Sequence, residues 1–437
     1  MSQPPYRVLR HRDFRLLWIS QLVSLTGSQM QTVALHWHVY LLTGSALALG
    51  ALGLTRVVPI VVFSLWGGVT ADRQDRRVVM FAAQATMLLG SLGLAALTFT
   101  ARESLGVLYA ASALLAAATA FDNPARNALI PRLVPVAELP AALSLNLTMF
   151  HAAFIGVPAL AGLLIAGVSL PHAGLAALPG SGAARDTAPL ALIYALNALS
   201  FLGVLHALVL MRTSGRVEPA SGIHEPPLAA LREGLRFVFR TPIMVWTMGL
   251  DFLATFFAGS LSLLPIFADQ VLHAGPAGYG WLVSAPALGA LVGSLYASVR
   301  HLPERQGRIL LGSVAFYGVA TVVYGLSRSY WLTFVALALS GLADLVSTVI
   351  RQTLRQILTP DHLRGRMTSV NMIFFMGGPQ LGELEAGLVA SAFASAALGA
   401  VVSVVSGGVA TVLLAAGIGV LAPVVREYVQ PAASPRG

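Results

Sequence analysis

Three ionisable residues interrupt long apolar runs of this sequence at points far from either end of the run. They are Arg56, Asp251 and Asp344. A carboxylate in such surroundings can accept a proton from one side of a membrane and release it on the other. We expect Asp251 or Asp344 to carry such a coupling proton. In the alternative, structural interpretation, one of the two acids neutralises Arg56 or hydrogen-bonds the backbone of a broken helix. The sequence supports the coupling role and the structural role equally.

Two more acids follow a helix-breaking Gly-Gly-Pro triplet at 377–379. Glu383 is a third candidate for proton coupling, whereas Glu385, two residues on, would point in a different direction from the same helix. The sequence favours a gate or outer-mouth role for Glu383 over coupling. Arg56 would either form a salt bridge, which we favour, or attract an anionic substrate.

Neutral polar and aromatic side chains supply the candidate substrate cavity. Gln29 and Gln31 lie near the middle of the first apolar run and Asn123 lies in the fourth. Each would hydrogen-bond either a cargo or a neighbouring helix, and the second is the usual role. Phenylalanines would build an aromatic wall for a flat or amphiphilic cargo, or would simply face lipid. These residues are Phe252, Phe256 and Phe374, with Phe257 and Phe375 nearby.

The elements that must position these residues are membrane-spanning helices. The 437-residue chain is 56% hydrophobic and only 10% charged, whereas globular domains carry about 25% charged residues. Apolar runs long enough to cross about 30 Å of hydrocarbon recur along the chain. The first run is too long for a signal-peptide core and should remain as a helix. Twelve spans are predicted, at 15–42, 45–71, 78–100, 106–130, 140–169, 189–211, 242–271, 279–300, 309–327, 331–357, 366–392 and 395–422.

Arginine supplies all 27 basic residues, and these fall mainly in alternate loops between the predicted spans. This positive-inside bias predicts that both termini are cytoplasmic. The arginines form no stripe on a soluble face, so we expect no nucleic-acid partner. The chain has no cysteine, and its ten histidines show no metal-ligand spacing. We therefore predict no metal and no cofactor, and expect His36 and His38 to be interfacial side chains.

The one long polar connection divides the chain into two halves. We predict a six-helix bundle at 1–211, a cytoplasmic linker at 212–240, a second bundle at 241–425 and a tail at 426–437. The second part of the linker is amphipathic, as in an interfacial helix or an ordinary linker helix. Residues of the two halves match at a constant offset of 225, as in parallel transporter repeats. The matching pairs run from Arg126 with Arg351 to Asn146 with Asn371.

A dense charged turn joins the second and third spans, with the sequence GVTADRQDRR at 68–77. It resembles the loop signature between helices 2 and 3 of the major facilitator superfamily. Asp75 departs from that signature because it stands where a glycine is usual. The matching residues are Gly68, Asp72, Arg73, Arg76 and Arg77.

The resemblance implies a twelve-helix, all-α membrane fold of two pseudo-symmetric bundles, and a conformational latch. Asp72 would dock against the positive end of helix 11, near Arg366. Asp122 belongs to the latch region, where Arg76 or Arg126 would neutralise it. The alternative is a solvated loop whose acids merely balance its arginines.

Segments 14–37, 121–146 and 365–387 are similar to the bacterial branch that contains the enterobactin exporter and macrolide or multidrug efflux proteins. Helices 1, 4, 7 and 10 line the cavity in this superfamily, which implies that Asp251 and Asp344 face one space. The antiporter motif of helix 5 is matched only partly, by Gly156, Pro158 and Gly162.

We therefore expect a monomeric exporter in the bacterial inner membrane. It would be no enzyme, and its partners would be a small amphiphilic substrate, protons and the lipid bilayer. A phosphate-binding GxxxxGK[ST] loop is absent from the sequence, which speaks against an ATP-driven pump. An importer of a nutrient or lipid, and a non-transporting sensor on the same fold, are the alternatives.

Overall fold

The fold is built from helices throughout the described residues. The computed structural model describes residues 5–167, 181–216, 227–299, 305–360 and 363–429, and these ranges contain no strand. The helices of the first three hundred residues are α1 (Arg12–Thr43), α2 (Ala46–Arg73), α3 (Arg76–Phe99), α4 (Leu105–Leu129), α5 (Leu139–Gly167), α6 (Ser181–Leu210), α7 (Pro227–Arg240), α8 (Pro242–Phe257), α9 (Leu264–Ile266) and α10 (Gly275–Val299).

The remaining helices follow after residue 305. They are α11 (Gln306–Leu326), α12 (Tyr330–Leu358), α13 (Arg364–Ser391), α14 (Ala396–Leu421) and the short α15 (Pro423–Arg426). Between α8 and α10 the chain continues as single helical turns, one of them a π-helix at Phe267–Val271.

Local sequence signals set several helix ends. Gly44 ends α1 in the left-handed conformation, with φ of 59°, and its N–H donates to the carbonyl of Tyr40. The side chain of Ser104 accepts from the backbone N–H of Val107 at the start of α4. Asp75 does the same for Arg77 at the start of α3, at 2.9 Å. The acid that departs from the loop signature is therefore the N-cap of α3.

Ten stretches of the described chain are long and apolar enough to cross a membrane. The long helices α1 and α13, of 32 and 28 residues, do not belong to that set. Polar side chains interrupt α1, and several side chains of α13 lie outside the described residues. Adding these two helices to the ten gives the twelve predicted spans. The predicted all-α membrane fold is confirmed.

The chain divides into two compact units. Unit 1 comprises Met1–Gly44, Thr55–Gly222 and Gly275–Ser284, and unit 2 comprises Ser45–Leu54, Ile223–Ala274 and Ala285–Gly437. Each unit has its own buried core: Phe14, Met80 and Leu129 belong to that of unit 1, and Leu250 and Ile350 to that of unit 2. The predicted division into two halves at residues 212–240 stays a prediction.

Glycines allow close helix crossings in both units. In unit 1, a Cβ built on Gly162 of α5 would lie 2.6 Å from the carbonyl oxygen of Pro276 and 2.7 Å from Cα of Gly280. In unit 2, a Cβ on Gly387 of α13 would lie 2.7 Å from the carbonyl oxygen of Ala46 and 2.9 Å from Cα of Gly50. Backbones meet at both places, as is common where membrane helices pack through small residues.

The predicted amphipathic helix exists as α7 and packs against its own unit along one side. Val238 is 2% exposed and lies in a cluster with Met244, Met248, Met367 and Val370. The basic residues of its opposite side, Arg232, Arg236 and Arg240, are exposed. The rest of unit 2 therefore covers part of the apolar face of α7, whereas Phe239 remains 69% exposed.

Candidate functional site

An arginine held by two acids forms the polar centre of unit 2. Nη2 of Arg351 lies 2.8 Å from Oδ1 of Asp251 and 3.8 Å from Oδ1 of Asp344. The side chains of Arg351 and Asp251 are only 11% and 16% exposed, whereas that of Asp344 is 49% exposed. The short contact is thus a largely buried ion pair, and the long one faces more open space.

Helical spacing explains why α12 can present this arginine. Ser347 and Thr348 lie three and four residues after Asp344 and four and three residues before Arg351, so all four side chains lie on one side of the helix. The guanidinium of Arg351 donates to Oγ of Ser347 at 2.5 Å and to Oγ1 of Thr348 at 2.9 Å. Its position is therefore set by its own helix, while its strongest ionic partner comes from α8.

Two cavities of unit 2 share Asp251 and Arg351. The larger has an empty volume of about 480 Å³, its open mouth included, and the smaller about 200 Å³. Guanidinium, amide and hydroxyl groups of the larger cavity face methionine and phenylalanine side chains. Its lining includes Met244, Thr247, Met248, Thr348, Gln352, Arg355, Asn371, Phe374 and Phe375. The smaller is lined in part by Asp344, Tyr317 and Ser347.

The predicted aromatic residues come together beside this centre. The rings of Phe252 and Phe256 stack with centroids 6.2 Å apart, and Phe374 meets Phe252 edge to face at 6.0 Å. Phe374 also lines the larger cavity. Helices α8 and α13 thus form an aromatic corner, whereas Phe375 is 51% exposed.

Arg351 is the residue that the sequence interpretation missed. The sequence interpretation matches Arg351 only with Arg126 in the internal repeat, and offers Arg56 as the partner of one of the two acids. The structure instead gives Asp251 the partner Arg351. The available signal was the seven-residue step from Asp344 to Arg351, which spans two helical turns.

Glu383 and Arg56 lie apart from this arrangement. Glu383 does not line either of the two cavities. Its side chain packs against α2, since a Cβ built on Gly53 would lie 2.9 Å from Oε2 of Glu383. Arg56 is half-buried in α2 and has no ion pair with a carboxylate of the described residues. The salt bridge that we favoured for Arg56 is thus not formed there.

In unit 1 a second arginine holds a buried polar cluster. Arg126 of α4 donates to Oε1 of Gln21 at 2.7 Å and to Oδ1 of Asn123, and lies 3.4 Å from Oδ2 of Asp122. Asp122 is 2% exposed and accepts from Gln84 of α3 at 2.9 Å. The expected partner Arg126 is therefore in contact with Asp122, while Asn123 is engaged in the same cluster.

Gln31 belongs to a different buried network, and its assignment to the cavity is corrected. It is 4% exposed, and its Oε1 accepts from Ser91 at 2.9 Å and from Asn197 at 2.7 Å. These contacts join α1, α3 and α6. Gln31 thus hydrogen-bonds neighbouring helices, which is the second of the two roles considered from the sequence. Gln29, by contrast, is partly exposed.

The charged turn ties α3 to two other helices of unit 1. Arg77 donates from Nη2 to the carbonyl of Leu208 at 2.5 Å and from Nη1 to that of Thr213 at 3.2 Å. Arg76 donates from Nη1 to the carbonyl of Ala128 at 3.0 Å. Both arginines therefore satisfy carbonyls at helix C-termini, where cations are favourable.

The remaining latch residues stay predictions. The side chains of Asp72 and Arg366 lie outside the described residues, and Arg73 is exposed. A Cβ on Gly68 would meet nothing within 4 Å, whereas one on Gly67 would collide with the carbonyl oxygen of Ala120. Gly67, which the sequence interpretation did not select, is therefore the glycine at this end of α2 that closely approaches the backbone of α4.

Ten long apolar helices in the described chain, together with a charged cavity inside unit 2, are typical of a multi-pass membrane protein. The family model described as transmembrane secretion effector matches residues 3–428. The chain therefore belongs to this family of the major facilitator superfamily.

Named relatives and solved structures agree with this assignment. The chain is 26% identical over 362 residues to the enterobactin exporters EntS of Shigella dysenteriae serotype 1 and Escherichia coli O1:K1, covering 82% of this chain and 81% of each relative. A bacterial homologue of the lysosomal transporter Spinster, in an inward-facing and unoccupied conformation, gives a TM-score of 0.73 at 16% identity, covering 99% of this chain and 100% of that one. The nucleoside transporter NupG gives a TM-score of 0.69 at 13% identity, covering 94% of this chain and 98% of that one. These structures share the fold.

Proposed function

We propose that this protein exports an amphiphilic small molecule by alternating access, in exchange for protons. The observation that carries the proposal is the position of Arg351 between Asp251, at 2.8 Å, and Asp344, at 3.8 Å, where two cavities meet. Ionisable groups inside a membrane domain are costly and usually mark a substrate or proton pathway.

Protonation of Asp251 is the proposed coupling step. A proton on this carboxylate removes its charge, and the short contact to Arg351 then loses its Coulombic attraction. Asp344 offers the guanidinium a second carboxylate on the same helix as Ser347 and Thr348. Arg351 would turn towards Asp344 when Asp251 is protonated and return when the proton leaves. Unit 2 would thus have two charge arrangements that differ by one proton.

The lining of the larger cavity suits an amphiphilic cargo. Met244 and Met248 offer adaptable apolar surface, and Phe374 offers an aromatic edge. Arg355 and Asn371 offer donors to the polar part of a ligand. A siderophore is one candidate because curated relatives are named enterobactin exporters, and a drug-like compound is the other.

We further propose the bacterial inner membrane as the location, with both termini in the cytoplasm. The alternation of arginine-rich loops supports this orientation. On the sequence signature at 68–77 we also propose that Asp72 acts in a conformational latch. The protein would work as a monomer, without a resident metal or cofactor and without an enzymatic step.

Inverted membrane vesicles from cells that make the protein test both direction and coupling. An acidic interior should drive accumulation of enterobactin or of the dye ethidium, and a protonophore should abolish it. Accumulation that ignores the gradient would contradict proton exchange, and uptake that requires an alkaline interior would indicate an importer. A comparison of metabolites inside and outside cells with and without the protein would identify the native substrate.

Single-residue variants test the coupling assignment in the same vesicles. Asp251→Asn should abolish gradient-driven accumulation but leave passive exchange of substrate down its own gradient. Glu427→Gln is the control, because Glu427 is exposed and pairs only with the adjacent Arg426 among the described residues. Gradient-driven accumulation at the wild-type rate in Asp251→Asn would remove Asp251 from the mechanism.

A further inference from the structure

A second cluster of titratable groups lies in unit 1, and the proposed transport mechanism does not use it. His38 of α1 is 0% exposed, and its Nδ1 lies 3.0 Å from the hydroxyl of Tyr194 in α6. The two rings stack with centroids 5.9 Å apart. Its Nε2 faces Oε1 of Glu103 at 3.8 Å. His38 is therefore a core residue and not the interfacial side chain that the sequence predicted.

His38 and Glu103 each have a buried side-chain atom without a hydrogen-bond partner among the described residues. The side chain of Glu103 is only 7% exposed, and its Oε2 has no hydrogen-bond partner among the described residues. The same holds for Nε2 of His38, because 3.8 Å is too long for a hydrogen bond. A buried carboxylate without donors is unfavourable. The cluster thus lacks an ionic contact between His38 and Glu103, and protonation of His38 can provide it.

One added proton would complete the cluster. In the neutral tautomer with hydrogen on Nε2, Nδ1 of His38 accepts the hydroxyl proton of Tyr194. If Nδ1 gains a proton, a new N–H bond forms there, and Tyr194 must rotate its hydroxyl to accept, since both nitrogens of an imidazolium donate. The cation then balances the carboxylate of Glu103, and the net charge of the pair changes from −1 to 0.

The backbone that carries Glu103 can respond to this change. Glu103 lies in the turn between α3 and α4, where Ala101 has a φ of 52°. This left-handed conformation is unfavourable for alanine by about 1 kcal/mol. Backbone hydrogen bonds hold the turn, among them those from the N–H of Ala101 to the carbonyl of Thr98 and from the N–H of Arg102 to that of Leu97. Attraction between a protonated His38 and Glu103 would add a further force that holds the turn against α1.

We propose that His38 and Glu103 form a proton-binding site in unit 1, in which one bound proton converts His38 to an imidazolium and secures the α3–α4 turn. The ligand of this site is the proton itself. The site is separate from Asp251 and Arg351, so the inference stands or falls independently of the proposed transport function.

Other titratable groups belong to the elements around this cluster. In α1 they are His36, whose Nδ1 lies 2.9 Å from the carbonyl of Thr32, and Tyr40. Tyr109 lies in α4, Tyr279 lies in α10 and stacks on Trp37, and Arg102 in the turn is exposed. Tyr194 and Glu103 are the titratable groups whose interactions with His38 are defined by distance. Variants of these two should therefore affect His38 most directly.

NMR of the purified full-length protein with ¹⁵N-labelled histidine tests the proposal without any transport assay. The signal that disappears in His38→Gln identifies His38. In the wild type this signal should change from neutral imidazole to imidazolium as the pH is lowered from about 8 to the acid limit at which the protein stays folded. In Glu103→Gln the same signal should remain neutral over that range, because the balancing charge is gone.

Two further variants separate this effect from general damage. Glu427→Gln removes an exposed carboxylate and should leave the titration of His38 unchanged. Tyr194→Phe keeps the ring contact but removes the hydroxyl, and should keep the formation of imidazolium. The proposal is overturned if His38 stays neutral throughout in the wild type, or if Glu103→Gln titrates as the wild type does.

Discussion

At the residue scale, Arg351 is central because it joins groups from two helices. Its hydrogen bonds to Ser347 and Thr348 fix the side chain along α12, and Asp251 of α8 provides the ionic partner. The two ionic side chains are only 11% and 16% exposed. Removing one member of such a pair leaves the other charge buried and unpaired, which is costly.

Arg351→Gln is therefore expected to lower the free energy of unfolding by about 3 kcal/mol. The double variant Arg351→Gln/Asp251→Asn should recover most of that loss, because it leaves neither charge buried. Titration with SDS in mixed micelles measures both values. Equal destabilisation in the single and double variants would mean that the ion pair is not the cause.

The residue scale also shows what a sequence can and cannot provide. Asp251 and Asp344 were selected because a carboxylate in an apolar run is rare, and both line the same cavity. The partner of Asp251 is not evident in the sequence because the ion pair between α8 and α12 joins positions one hundred residues apart, a distance that helical periodicity does not reach. Gln31 was misassigned because its partners, Ser91 and Asn197, likewise come from other helices.

At the scale of elements, helix length and type were predictable and helix contacts were not. Apolar length and composition identify ten of the spans in the described chain, whereas α1 and α13 fall outside that set. Turn chemistry explains the ends of α1 and α3. The close crossing of α5 and α10 depends on Gly162 and Gly280. The sequence contains 42 glycines, and only the packed structure distinguishes those that touch another backbone.

Two glycines of α5 should respond in opposite ways to the same substitution. Gly156→Ala should raise the free energy of unfolding by about 0.5–1 kcal/mol, because its Cβ meets nothing within 4 Å and alanine is the better helix former. Gly162→Ala should lower it by about 1–3 kcal/mol, because its Cβ would lie 2.6 Å from the carbonyl oxygen of Pro276. Thermal denaturation in detergent gives the ranking, and equal shifts would contradict the close crossing.

The turn between α3 and α4 offers a second paired test. Ala101→Gly should stabilise the protein by about 1 kcal/mol, since glycine adopts the φ of 52° without the clash of a Cβ. Ala110→Gly in α4 should destabilise it by a similar amount, about 1 kcal/mol, because glycine is a poor helix former. Denaturation midpoints of both variants measure the difference. A loss of stability in Ala101→Gly would show that this turn is not strained.

At the scale of the whole molecule, the internal repeat predicted from the offset of 225 residues relates two arginine centres. Arg126 and Arg351 each contact side chains three and four residues earlier on their own helix. Each also contacts one residue from the first long helix of its half, and there the two centres differ. Arg126 meets the neutral Gln21 of α1, whereas Arg351 meets the acidic Asp251 of α8.

Under the proposed mechanism this difference places proton exchange in unit 2. Asp251→Gln tests that placement by giving Arg351 the same type of partner that Arg126 has. An amide oxygen still accepts a hydrogen bond from the guanidinium but cannot bind a proton at ordinary pH. We expect proton-driven accumulation in inverted vesicles to fall at least about tenfold, which corresponds to about 1.4 kcal/mol of coupling, while exchange of substrate down its own gradient continues. Asp122→Asn, which alters the corresponding centre of unit 1, should lower stability and keep accumulation dependent on the proton gradient. If Asp122→Asn uncouples transport and Asp251→Gln does not, the proton is carried by the other arginine centre.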